Sequence, residues 1–133
     1  MPNVRYLIVG GYAVMRYTEP RFTKDLDLLV STDAANAHAV FTALRAFGAP
    51  LAGLGERDFM AAGFFYQMGR PPLRVDVLMD VPGVDFEAAW ARKETVEIAG
   101  TTMHFIARED LIRSKAAAGR PQDLLDLAKL KGA

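Results

Sequence analysis

Two aspartates one residue apart, Asp25 and Asp27, are the side chains of this chain best suited to chemistry. They lie in an apolar run that continues to Val30. If this run is a β-strand, both carboxylates point to the same face, because side chains alternate along a strand. Two like charges held there repel by roughly 3 kcal/mol at ~5 Å and an effective dielectric near 20. A cation between them would relieve that repulsion, so the pair suggests a metal site.

A glycine pair upstream strengthens this interpretation. The simpler alternative is a half-exposed edge strand whose carboxylates are solvated or paired with Lys24 or Arg21. However, Gly10 and Gly11 end an earlier apolar run, and glycine lets backbone N–H groups approach a phosphate. A helix beginning at Tyr12 would direct its positive end to the same place. Together the two motifs predict a metal–nucleotide site.

Asp76 offers a third carboxylate. It lies in the middle of a strand-like segment, residues 73–79, where aspartate is uncommon. One explanation is an ion pair with Arg74 or across strands on a wet face, worth well under ~1 kcal/mol. The other is a two-metal site, in which carboxylates hold two divalent ions that stabilise the attacking and leaving oxygens of phosphoryl transfer. Asp80, at the end of the segment, is a weaker candidate.

Several basic residues are placed to contact phosphates. Arginine suits bidentate phosphate contacts, although any one arginine can equally be a surface residue. Near the end of the chain, Lys115 could reach a triphosphate, whereas Asp123 and Asp126 are expected to cap and ion-pair a helix–helix junction together with Arg120. The candidate nucleotide-binding residues are Gly10, Gly11, Arg16, Arg21, Thr23 and Lys115.

Composition limits the class of protein. The 133 residues, 51% hydrophobic, predict a single domain spanning 1–133. Sixteen basic and sixteen acidic residues balance, which argues against a plain nucleic-acid-binding domain. Without cysteine, and with only two histidines, a zinc site of thiolates or histidines is excluded, and oxygen ligands favour Mg²⁺ or Mn²⁺. No apolar stretch suits a membrane span and no signal peptide is apparent, so a cytoplasmic protein is expected.

The elements predicted around these residues alternate between strands and helices. Helix-capping and helix-stopping residues predict a helix that follows residues 31–33 and ends at Gly48. The predicted strands are residues 5–9, 24–31, 64–68, 73–79, 95–98 and 102–106. The other predicted helices are residues 12–17, 86–91 and 109–118 and one that begins at Pro121. This order favours an α+β or mixed-sheet α/β domain, with a core of about 5–106 and a C-terminal helical pair of about 109–131.

The glycine pair, the segment 21–27 (Arg-Phe-Thr-Lys-Asp-Leu-Asp) and Asp76 together resemble the polymerase-beta-like nucleotidyltransferase superfamily. The form of the motif is similar to that of small bacterial nucleotidyltransferases of abortive-infection and toxin–antitoxin systems. The tail, residues 110–126, is similar to the segment that follows the hairpin in many small members. The resemblance implies a mixed sheet with helices packed on it. It also implies that Asp25, Asp27 and Asp76 are catalytic Mg²⁺ ligands, that Asp76 helps to activate the attacking hydroxyl, and that the glycines lie against the triphosphate.

Two functions follow from the resemblance. The first is a Mg²⁺-dependent nucleotidyltransferase that moves a nucleoside monophosphate from ATP or another NTP to a hydroxyl on RNA, protein or a small molecule, releasing pyrophosphate. The second is a non-catalytic regulatory protein or antitoxin of the same fold that binds a partner protein. The three carboxylates favour the enzyme, because a binding module has no need to hold three like charges together. The expected partners are an NTP, an acceptor RNA or protein, and a cognate toxin or antitoxin.

Overall fold

A six-stranded mixed sheet forms the centre of the structure, a computed structural model that describes residues 4–70 and 72–132, with only the backbone at 70 and 73. The strands are β1 (Tyr6–Val9), β2 (Asp25–Val30), β3 (Phe65–Arg70), β4 (Leu73–Leu78), β5 (Glu94–Ile98) and β6 (Thr101–Phe105). The α-helices are α1 (Gly10–Tyr17), α2 (Ala34–Phe47), α3 (Phe86–Arg92), α4 (Arg108–Ala118) and α5 (Pro121–Gly132).

The strand order is β3-β4-β2-β1-β6-β5. Three neighbouring pairs are antiparallel, namely β1 with β2, β3 with β4, and β5 with β6. The central pairs β2–β4 and β1–β6 are parallel. Strand β2 therefore lies between β1 and β4, so its side chains have neighbours on both sides.

Helices cover both faces of the sheet, and β2 contributes to both cores because its side chains alternate. On one face, Val30 packs with Val40, Phe41 and Leu44 of α2 and with Phe59. On the other face, a second core joins Leu29 and β1 to residues of α1, α3, α4 and α5. By the same alternation, Asp25 and Asp27 lie on the face of Leu29, beside α1. The predicted alternation of β2 is confirmed.

The predicted α+β class and mixed sheet are confirmed, and the strands and helices end within about two residues of their predicted limits. Helix α1 begins at Gly10 rather than after the glycines. A short 3₁₀ helix, Glu56–Met60, was not predicted. It buries Phe59 completely, and one buried residue in five gives no periodic signal. The predicted turn between β3 and β4 includes Pro71, which lies outside the described residues.

Within the described residues, no helix combines the length and the hydropathy needed to cross a membrane.

Candidate active site

Asp27 and Asp76 face each other at the centre of the sheet. They are register partners on the parallel strands β2 and β4, and Asp27 is also opposite Val9, the last residue of β1. Gln67 on β3 is opposite Asp76, and its Nε2 donates a hydrogen bond of 2.8 Å to Asp76 Oδ1. The sheet thus joins two carboxylates that are far apart in the sequence and fixes one oxygen of Asp76.

The electrostatics of this pair are unfavourable for two negative charges. The pKa of the Asp27 carboxyl is raised to about 7, first by burial and then by a hydrogen bond with Asp76 and the charges of Asp76 and Asp25, whereas the charge of Lys115 opposes the shift. A hydrogen bond between two carboxyls requires a proton on one of them. Near neutral pH, a proton therefore relieves part of the repulsion, which a divalent cation would relieve more completely.

Asp25 faces an arginine on β4, whereas Asp27 faces another aspartate. The register partner of Asp25 is Arg74, and Arg74 Nε lies 3.6 Å from Asp25 Oδ1. That distance is too long for a hydrogen bond. Both atoms are buried, and neither has a hydrogen-bond partner among residues 4–70 and 72–132. Asp25 therefore holds a carboxylate oxygen that is removed from water and incompletely satisfied.

The glycine turn is packed directly against these carboxylates. Gly10 has a φ of +68°, and a Cβ at this position would lie 2.2 Å from Asp27 Oδ2. A Cβ on Gly11 would lie 2.8 Å from Thr23 Oγ1 and 3.4 Å from Nη2 of Arg21. The residue before α1, Val9, makes no side-chain cap. The first turn of α1 therefore presents bare backbone next to the acidic pair.

Arg21 and Lys115 join this site through an ion-pair network with α5. Arg21 contacts the carboxylate of Asp126. Lys115 Nζ lies 3.2 Å from Asp123 Oδ1 and 3.1 Å from Asp126 Oδ2. Lys115 is buried, and its two carboxylate partners are on α5. Its positive charge also lowers the pKa of Asp27. As predicted, Asp123 forms ion pairs at the helix junction, here also with Arg120.

Arg16 is the candidate that the structure does not bring to the acidic pair. Its Nη2 lies 3.1 Å from Glu94 Oε1 on the edge strand β5. Its guanidinium lies 5.7 Å from the centre of the Phe105 ring. Two contacts thus direct Arg16 toward β5 and β6, away from β4.

The donor set fits a hard divalent cation, because it consists of carboxylate oxygens. Asp27 and Asp76 are adjacent, and Asp25 has an unsatisfied buried oxygen on the same strand. In the described part of the chain, no three His, Cys, Asp or Glu side chains are grouped closely enough to hold a metal ion. Asp25 Oδ1 instead lies 3.6 Å from Arg74 Nε on the neighbouring strand.

Two neighbours of the site, Gln67 and Arg74, were not predicted to take part. Arg74 was considered only as a partner of Asp76, but it faces Asp25 because β2 and β4 pair in parallel. Gln67 faces Asp76 because the hairpin pairs residue 70 with residue 73. Four turn-forming residues, 69–72, allow several hairpin centres, so the sequence does not set this register.

Two solved structures that align with nearly the whole chain are a nucleotidyltransferase-like protein and an adenylyltransferase. The chain has the nucleotidyltransferase fold. An antigenic nucleotidyltransferase-like protein from Paracoccidioides brasiliensis aligns over 97% of this chain and 68% of its own, with a TM-score of 0.54 and 19% identity. The lincosamide antibiotic adenylyltransferase LnuA, in a lincomycin-bound structure, aligns over 98% of this chain and 88% of its own, with a TM-score of 0.57 and 15% identity.

No protein-family model and no curated protein matches this chain. At identities of 19% and 15%, the likeness establishes the nucleotidyltransferase fold.

Proposed function

We propose that this protein is a Mg²⁺-dependent nucleotidyltransferase. It would transfer a nucleoside monophosphate from an NTP to a hydroxyl group. The observation that carries the proposal is the opposition of Asp27 and Asp76 on adjacent parallel strands, next to a glycine turn that admits no side chain at residue 10. A half-buried pair of like charges is costly to the fold, and a nucleotide–metal complex at this place would explain its presence.

The reaction assigns a task to each group. The acceptor oxygen attacks the α-phosphorus, the bond to the bridging oxygen breaks, and pyrophosphate leaves. Asp76 accepts the proton of the hydroxyl through the oxygen that Gln67 does not hold. The bare backbone of Gly10 and Gly11 is the proposed seat of the triphosphate, with Arg21, Thr23 and Lys115 around it and Arg16 more remote.

Asp25, Asp27 and Asp76 are the proposed ligands of Mg²⁺ or Mn²⁺. When bound, the cation supplies charge neutralisation for the phosphates and the leaving group. The contribution of the protein is positioning, because the transfer needs an aligned acceptor more than covalent chemistry.

The acceptor and the biological role are further parts of the proposal. One structural neighbour is a lincosamide adenylyltransferase, so small-molecule hydroxyls belong among the acceptors to be tested, beside RNA and protein. The resemblance to toxin–antitoxin nucleotidyltransferases favours a cognate toxin or antitoxin as the partner, in the cytoplasm.

The test is transfer of label from each α-³²P-labelled NTP, with Mg²⁺, to cell extract, RNA or small-molecule acceptors, with pyrophosphate release measured in parallel. The wild type should label one class of acceptor, and the D25N/D27N variant should label none. The matched control is D80N, because Asp80 is exposed and accepts a hydrogen bond from the Gly63 N–H. Full activity of a folded D25N/D27N variant would overturn the proposal.

A non-catalytic, partner-binding protein of the same fold is the second candidate. It is favoured by one observation, the engagement of Asp25 by Arg74 instead of a grouping of three carboxylates. Calorimetry separates the two candidates. Binding of NTP that requires Mg²⁺ and yields pyrophosphate supports the enzyme, and partner binding that EDTA leaves unchanged supports the binding module.

A further inference from the structure

Arg21 lies on a segment without regular structure, between the end of α1 and the start of β2. A free arginine side chain on such a segment samples many conformations, and the loss of rotamer entropy opposes fixing it. Here its Nη2 is nonetheless 3.4 Å from the position of a Cβ on Gly11. Some other contact must therefore hold the guanidinium over the glycine turn.

That contact is Asp126 on α5, 105 residues later in the sequence. Arg21 Nη1 donates to Asp126 Oδ1, and Nη2 approaches Oδ2 at 3.4 Å. A guanidinium that meets both oxygens of one carboxylate is fixed in position and in plane. The Arg21 side chain stays 26% exposed, so part of it remains accessible to solvent.

Asp126 is built into the protein as a fixed anchor. Its side chain is fully buried, at 0% exposure, and it also accepts hydrogen bonds from Gln122 and contacts Lys115. Burial alone would raise the pKa of Asp126, but the hydrogen bonds from Arg21, Gln122 and Lys115 hold it below its ordinary value. The anchor is thus an ionised carboxylate surrounded by donors, which water does not reach.

The ion-pair network around Asp126 contains more cations than anions. It contains three cations, Arg21, Lys115 and Arg120, and two anions, Asp123 and Asp126. Within the network one positive charge is left over, and Lys115 and Arg120 also act on Asp27, the carboxylate that packs against Gly10.

We infer that Asp126 is a positioning residue, which holds the Arg21 guanidinium over the glycine turn so that it contacts a phosphate of the bound nucleotide. The inference rests on the proposed function, because it requires an NTP at Gly10 and Gly11. It assigns α5 a role in nucleotide binding although Asp126 itself does not touch the nucleotide.

The experiment is a double-mutant cycle of R21A and D126N, read out as the Kd of the Mg²⁺–NTP complex and as KM and kcat for transfer. Each single variant should weaken binding and raise KM about tenfold, with a smaller change in kcat. If Asp126 acts through Arg21, the R21A/D126N variant should be no weaker than R21A. If Asp126 instead acts through Lys115, the two losses multiply, and that result overturns the inference.

The matched control is D110N. Asp110 is a buried aspartate on α4, at 2% exposure, and it pairs with Arg92 through contacts of 3.0 and 2.6 Å. It therefore has the same chemistry as Asp126, without a candidate site residue among these partners. D110N should lower the stability and leave the NTP affinity within twofold. A tenfold loss of affinity in D110N would mean that general destabilisation explains D126N.

R21K keeps the test decisive if D126N does not fold. Lysine retains the charge opposite Asp126 but cannot meet both carboxylate oxygens or keep the plane of a guanidinium. R21K should lose nearly as much NTP affinity as R21A, and wild-type affinity in R21K would overturn the inference. If wild-type protein neither binds nor transfers NTP, the proposed function fails and the inference fails with it. If wild type binds NTP but the cycle is additive, only the inference fails.

Discussion

Gly10 and Asp27 constrain each other at the scale of single residues. Gly10 adopts a left-handed φ of +68°, and an added Cβ would meet Asp27 Oδ2 at 2.2 Å. We expect G10A to cost on the order of 2–4 kcal/mol, from left-handed strain plus the displaced carboxylate. Urea denaturation measures the loss.

The matched control for G10A is G48A, the residue after α2. Gly48 has a φ of +91° and nothing within 4 Å of an added Cβ. The loss of stability in G48A therefore measures the backbone strain alone, about 1–2 kcal/mol. G10A should be clearly less stable than G48A and should also lose Mg²⁺–NTP binding, which G48A retains. Equal losses in the two variants would show that Asp27 moves aside freely.

The charge of Asp27 is predicted to oppose folding. Its carboxyl is half-buried beside Asp76 and Asp25, which raises its pKa to about 7, so at pH 8 most of it is ionised. D27N removes this repulsion, and in EDTA at pH 8 the variant should be about 1–2 kcal/mol more stable than wild type, several degrees in Tm. Mg²⁺ should raise the Tm of wild type and not that of D27N. If D27N had a lower Tm than wild type in EDTA at pH 8, the charge of Asp27 would not be opposing folding.

The site could be predicted residue by residue only in part. Period two predicts that Asp25 and Asp27 share one face of β2. The structure then places Asp76 and Gly10 next to Asp27. The partners Arg74 and Gln67 depend on strand register, which a run of turn-forming residues leaves open. Arg16 pairs with Glu94 of β5 because β6 lies between β1 and β5. This strand order is a property of the whole sheet and has no local signal.

At the scale of elements, α4 and α5 are joined by charges inside their junction. Asp123 accepts hydrogen bonds from the Arg120 backbone and guanidinium and from Lys115, and these hold the pKa of Asp123 at about 2 against the opposing effect of burial. Because the native pKa lies below the unfolded value of about 3.9, the stabilisation is complete above pH 4 and is lost as the pH falls toward 2.

The pH dependence can be assigned to Asp123 by comparison with D123N. At pH 7, D123N should be less stable than wild type by about 3 kcal/mol, since it removes one of the two carboxylates that pair with buried Lys115. Between pH 5 and pH 2, the difference should narrow by about 2 kcal/mol, because wild type loses what the variant already lacks. Unfolding free energies by urea at each pH measure this. A constant difference across that range would mean that Asp123 keeps an ordinary pKa.

Most element boundaries followed from local signals. The capping residue Asp33, the stop at Gly48 and Pro121 as a first helical residue all act within a few residues of the boundary. The 3₁₀ helix at Glu56–Met60 has no such signal, since its one buried side chain, Phe59, is held by tertiary contacts with Phe41, Phe64 and Tyr66. Capping and turn residues therefore predicted where most helices begin and end, whereas the 3₁₀ helix depends on long-range packing of Phe59.

At the scale of the molecule, the two faces of β2 serve different purposes. One face carries Asp25 and Asp27, and the other lines an apolar cavity of about 230 Å³ between α2 and the sheet. The lining residues include Leu26 and Leu28, which alternate with the aspartates, and Ala43 and Leu44 of α2. The side chains that line this cavity lack packing contacts on the side that faces it, so this side of β2 has room for a larger side chain.

Filling the cavity should therefore stabilise the fold without altering the site. A43L adds three carbon atoms at a half-buried position that lines the cavity, and we expect a gain of about 1 kcal/mol, or several degrees in Tm. The control is A46L, because Ala46 is on the same helix but exposed, and its effect should stay within about 0.5 kcal/mol. Thermal unfolding measures both, and the affinity for Mg²⁺–NTP should be unchanged in A43L because the sheet separates Ala43 from Asp27. A loss of stability in A43L would show that the cavity cannot accept the side chain, and a change in affinity would show that the two faces are coupled through β2.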